Sequence, residues 1–233
     1  MEKTARIYLS RRQDYAHATD CLMLLILFSI VNIGIYYLTL VPVVGTIMDY
    51  LGWTGYLAPA ASGPRMLFLM YANKGNWLWG ALYALVALLP FVFSLLFSGA
   101  LARKKRIFRG WSFLPAIIWY GVDTAWHLCS VVIILINQFS IAIIFWEIIG
   151  LLLRVIVFCV LGAGVGAPKD MRKQKDILMV QCLAAYAAVA GIEATRQLSK
   201  EQIYELTDKY INAVDRKVYN EDLDRIVETL QQT

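Results

Sequence analysis

Apolar residues in the first two thirds of the chain come in long runs, not in the narrow stripe of a surface helix. Four runs, at about 21–41, 77–102, 112–136 and 141–164, are long and apolar enough to cross a hydrocarbon core of roughly 30 Å. They predict an all-α membrane protein: a four-span helical bundle over residues 20–168, with a polar lead at 1–19 and a helical tail at 169–233. The first run is too long for the apolar part of a cleavable signal, and no small-x-small cleavage pattern follows it. Asp20 stands where the first span begins and reads as its N-terminal cap. Asn32 lies mid-span, where an amide hydrogen-bonds to a neighbouring helix.

Between residues 42 and 76 the apolar character persists, but Gly52, Gly55, Pro59, Gly63 and Pro64 interrupt it, and a crossing would put Arg65 in lipid. This stretch reads as an outer re-entrant or interfacial segment, with non-helical backbone held against protein or water. Trp53, Trp77 and Trp79 then form part of an outer aromatic belt. Pro90 interrupts the second span at its middle and predicts a kink. Gly80, Ala84, Ser98 and Gly99 supply small surfaces for close helix approach. The run GAGVG at 162–166 ends the fourth helix, being without the phosphate-binding residues of a Gly-rich loop.

The pattern changes after Pro168. Residues 177–192 form an Ala-rich helix, short and weakly apolar for a span; were it a fifth, tilted one, the tail would lie outside. Ser199 and Gln202 make a capping box, and Ile203, Leu206, Tyr210 and Val214 follow at helical spacing. Asn220 caps a last helix with acidic residues in its first turn and Leu223, Val227 and Leu230 on one side. Such short stripes cannot close a core alone. They must pack on each other, on the Ala-rich helix, on another subunit or on a partner.

Charge orients the bundle. Lys and Arg number four in residues 1–19, five in 103–109 and four in 169–175, against two in 42–76. The positive-inside rule then gives one arrangement, a multi-pass protein of the cell membrane with both termini cytoplasmic. The net charge of +5 is juxtamembrane, which favours anionic lipid headgroups and not nucleic acid, while residues 177–233 carry a net −3. Cys21, Cys129, Cys159 and Cys182 have no C-x-x-C spacing and read as small buried hydrophobes.

Five polar residues interrupt the last two spans: Tyr120, Asp123, His127, Glu147 and Arg154. Asp123 lies eleven residues after Ser112 and Arg154 eleven residues before Val165. In an antiparallel hairpin both are then about 17 Å from the same surface. His127 follows Asp123 by four positions and Glu147 precedes Arg154 by seven, spacings that keep each pair on one helix face. Asp123 with Arg154 and His127 with Glu147 therefore predict two ion pairs, with Tyr120 extending the first stripe. Such a cluster either locks a helical hairpin or lines an aqueous path.

With His17 and His127 the only histidines, no H-E-x-x-H helix is possible, and no G-x-S-x-G elbow or Walker loop occurs. The reading is a non-enzymatic membrane anchor or complex subunit, without metal or cofactor. Its contacts are with the bilayer and, through residues 199–233, with a second copy or a protein partner. The alternative is a small-solute or ion transporter, or a transport subunit, using the five-residue cluster.

Overall fold

The computed structural model describes residues 1–39, 77–98, 109–137 and 141–216. They are helical with no strand among them: α1 Glu2–Thr39, α2 Trp77–Ser98, a 3-10 turn Gly110–Phe113, α3 Leu114–Asn137, α4 Ile141–Ala190, α5 Ile192–Arg196 and α6 Lys200–Asp215. The re-entrant segment at 42–76 and the helix expected after Asn220 lie outside the described residues. Among those described, two stretches are long and apolar enough to cross a membrane, Glu2–Val31 and Ile148–Ala190, which suggests membrane association.

Two expected helix ends are absent, and the physical reasons differ. α1 begins at Glu2, so Asp20 lies well inside a helix of 38 residues and is not its N-cap. The polar lead continues the helix because Ala5, Tyr15, Ala18, Thr19 and Leu22 give it a buried face across the expected boundary. α4 runs for 50 residues through GAGVG and through Pro168. At Gly164 an added Cβ would meet the Ala18 Cβ at 2.4 Å and the Phe113 ring at 3.1 Å. That glycine is a close-packing position, not a stop.

The chain divides into two compact units, residues 1–15 with 166–233, and residues 16–165. In the first, Ala5 of α1, Leu178, Cys182 and Tyr186 of α4, and Leu206, Tyr210, Ile211 and Val214 of α6 form one apolar core. The N-terminal lead thus closes the core that the tail helices could not close alone. Arg11 Nε contacts Asp170 Oδ2 at 3.1 Å, and Lys175 Nζ contacts Asp208 Oδ1 at 3.0 Å. Ser199 and Gln202 complete the capping box, with Gln202 N–H donating to Ser199 Oγ at 3.2 Å and Ser199 N–H to Gln202 Oε1 at 2.8 Å. The stripe differs in detail: Thr207 and Ile211 join Leu206, Tyr210 and Val214 in being buried, and Ile203 is only half-buried.

In the second unit α2 packs on α3 and on the 3-10 turn. The Ala116 amide belongs to the first turn of α3, where backbone donors have no helical acceptor. It donates instead to Ser94 Oγ of α2 at 3.0 Å, a buried bond. Phe97 and Trp111 extend the contact, their ring centroids 6.2 Å apart. Of the cysteines expected to be buried, Cys182 is; Cys129 and Cys159 are exposed and Cys21 half-buried. The first two sit on helix faces that no other described part of the chain covers.

Candidate functional site

Asp123 and Arg154 face each other between α3 and α4. Arg154 Nη1 lies 3.3 Å from Asp123 Oδ2, with the side chains 1 % and 0 % exposed for Arg154 and Asp123. The same nitrogen donates to Thr124 Oγ1 at 3.0 Å. Thr124 in turn donates its hydroxyl to the Tyr120 carbonyl one turn earlier at 2.8 Å. That back-bond fixes the hydroxyl proton away from the guanidinium and leaves a lone pair to receive it.

An aromatic wall closes the cluster. The Arg154 guanidinium carbon lies 5.6 Å from the centre of the Tyr120 ring, within cation–π range. Tyr120 meets Phe158 with centroids 5.1 Å apart and planes tilted by 58°. Phe158 follows Arg154 by one helical turn, so both project from the same side of α4. An added Cβ at Gly121 would come to 3.8 Å from Phe158, an ordinary van der Waals contact.

The structure therefore brings Tyr120, Asp123 and Arg154 together. His127 and Glu147 belong to α3 and α4, but their side chains lie outside the described residues, and so does the second ion pair. Thr124 and Phe158 are the partners that sequence reasoning missed. Thr124 could have been found as the hydroxyl beside the carboxylate, on the side that meets a partner helix.

Energetically the site is a buried ion pair furnished by the protein on several sides. Removing one member leaves a charge without its counterion at a cost of about 3–5 kcal/mol, whereas exchanging both for apolar groups of similar volume is often neutral. Chemically it can hold two helices in register and oppose water entry.

A second buried reactive group sits in the other unit. Burial pushes the Cys182 thiol up to about 11, against the smaller opposing pulls of the Thr207 side chain and the positive N-terminus. It is a core thiol and not an activated one. Comparisons of the chain with protein-family models, with curated proteins and with solved structures give no match.

Proposed function

We infer that this chain is a four-span protein of the cell membrane with both termini cytoplasmic, acting as a non-enzymatic anchor or subunit of a membrane complex. The Asp123–Arg154 pair holds its bundle together, and the unit built from residues 1–15 and 166–216 offers a surface to a protein partner. The observation that carries this reading is the burial of both charged side chains, with Arg154 Nη1 shared between Asp123 Oδ2 and Thr124 Oγ1. Groups that serve a solute path must be reached by water, at least in one state.

Membrane insertion is supported by apolar side chains turned outward on three helices. Leu27 and Phe28 of α1 are 55 % and 54 % exposed, Ile118 of α3 is 65 % exposed, and Leu152 and Ile156 of α4 are 60 % and 57 % exposed. Soluble monomers rarely present so much contiguous apolar surface to water. The helices of 22 and 24 residues at Trp77–Ser98 and Leu114–Asn137 reach roughly 33 and 36 Å, long enough to cross.

The partner face must be probed by point changes, because α6 is part of a core and deleting the tail would expose it. Val180, Ile192 and Tyr204 are 67 %, 67 % and 46 % exposed and suit this purpose. The test combines the charge-reversed double variant Asp123→Arg/Arg154→Asp with purification from native membranes. A restored fold, a partner held in fixed ratio, and loss of that partner on changing Val180 and Tyr204 are the expected results. Solute flux in liposomes that the wild type supports and a correctly folded reversed variant does not would replace this reading by transport.

A further inference from the structure

Just beyond the apolar run 141–164, α4 carries a group of charged residues that divide into engaged and unengaged. Lys175 meets Asp208 at 3.0 Å, and Asp170 is held by Arg11 of α1 at 3.1 Å. Lys169, Arg172 and Lys173 are exposed and make no ion pair among the described residues. Arg172 and Lys173 follow Lys169 by three and four positions, so all three stand on one face of the helix within about 6 Å along its axis. Like charges at these spacings repel one another. Asp176, exposed one turn further on, offsets one of them and leaves these four residues at a net +2.

Two neighbouring features extend this face. Gly166 precedes Lys169 by three positions, is exposed, and has nothing within 4 Å of an added Cβ. The three cations therefore stand beside a gap in the helix surface, on the side from which the apolar run approaches. On α1, Arg12 is exposed and also makes no ion pair among the described residues. It follows Arg11, whose contact with Asp170 sets it at the level of Lys169. A free anion needs only the charges. A phospholipid needs charges with room beside them for its glycerol and upper acyl carbons, which is what Gly166 leaves.

We propose that Lys169, Arg172 and Lys173, with Gly166 as the open place beside them, form a binding site for the headgroup of an anionic phospholipid. The two lysines bind phosphate oxygens as point charges and Arg172 donates through its planar fork. The bound phosphate relieves the repulsion among the three cations. The inference rests on the reading of the chain as a membrane protein with cytoplasmic termini, because anionic lipid is concentrated in the cytoplasmic leaflet.

The test is native mass spectrometry of the full-length protein in detergent, titrated with phosphatidylglycerol or with phosphatidylcholine of the same acyl chains. The wild type should bind its first phosphatidylglycerol at least tenfold more tightly than phosphatidylcholine. Lys169→Gln/Arg172→Gln/Lys173→Gln should abolish that preference. Lys3→Gln/Arg196→Gln/Lys200→Gln removes as much charge elsewhere and should keep it within twofold. Gly166→Leu retains every charge and should weaken phosphatidylglycerol binding at least threefold; it carries the test should the first triple variant fail to fold. Equal binding of the two lipids by the wild type, equal loss in the two triple variants, or an unaffected Gly166→Leu overturns the proposal. Displacement of the lipid by excess inorganic phosphate replaces it by a site for a free anion. Extraction of the wild-type chain from membranes by alkaline carbonate overturns the membrane reading and the proposal with it, whereas a chain that stays in the membrane and shows no lipid preference overturns the proposal alone.

Discussion

The guanidinium of Arg154 on α4 meets the carboxylate of Asp123 on α3 at 3.3 Å, with neither side chain reaching the surface. Both groups have exchanged water for each other, for Thr124 and for the Tyr120 ring. The expected consequence is a strong asymmetry between single and double substitutions. Asp123→Asn or Arg154→Met alone should destabilise the helical bundle by about 3–5 kcal/mol. Asp123→Leu with Arg154→Met should recover most of that, because no charge is left without its counterion. Thermal unfolding of the detergent-purified protein decides it, and a double variant as weak as the sum of the singles would contradict the account.

Three glycines in one helix should respond in opposite directions. Gly164→Ala places a Cβ 2.4 Å from that of Ala18, so α1 and α4 must separate, at about 1–3 kcal/mol. Gly162 and Gly166 have nothing within 4 Å of an added Cβ. There, alanine should stabilise by about 0.4–1 kcal/mol through helix propensity and a less flexible unfolded chain. Ala18→Gly should rescue Gly164→Ala, which separates a steric cause from a backbone one. Melting temperatures of the three variants and the rescue pair are sufficient.

These two cases also show what could be read from the residues. The depth of Asp123 and Arg154 in an antiparallel hairpin depends on counting residues at a fixed rise, so their meeting was legible. The role of Gly164 was not, because a glycine that ends a helix and a glycine that admits a neighbouring helix look alike until the neighbour is known. The lead at residues 1–19 was hidden for a similar reason. Ala5 and Tyr15 are spread among charged residues, and only contact with partners over 160 positions away shows that Ala5 is core. The capping box at Ser199 was legible because both of its bonds are local.

The hairpin between α4 and α6 depends on two local devices. Gly191 has φ +90°, a conformation that costs an L side chain about 1–3 kcal/mol although the space around it is open. Ser199 satisfies an otherwise orphaned amide of α6. Gly191→Ala and Ser199→Ala should each lower stability, the second by about 1 kcal/mol. Ser199→Asp should retain nearly all of it, since a carboxylate caps as well. Hydrogen exchange should place the Ser199→Ala loss in α6 first. Loss spread evenly over all helices would mean that the cap is not what holds this end.

Cys182 gives the clearest dependence on pH. Its thiol is raised by burial from an ordinary 9.0 to about 11, so the folded state favours the neutral form. The related stability is complete below pH 9, where folded and unfolded chains both hold the proton. It falls as pH rises toward 11, because the unfolded chain ionises first. The same shift governs reactivity, since only the thiolate attacks an alkylating agent. At pH 8 the shift alone reduces the thiolate roughly hundredfold relative to an unburied cysteine, and enclosure in the core adds to that. Alkylation of Cys182, followed by peptide mass spectrometry, should therefore be at least a hundredfold slower in the folded protein than in denaturant. Raising the pH from 8 to 10 should accelerate it without a plateau. Thr207→Val removes a contact that favours the thiolate and should slow the reaction further. Rapid labelling of Cys182 in the native protein at pH 8 would show that the helices of residues 1–15, 166–190 and 200–215 open far more often than their shared core implies.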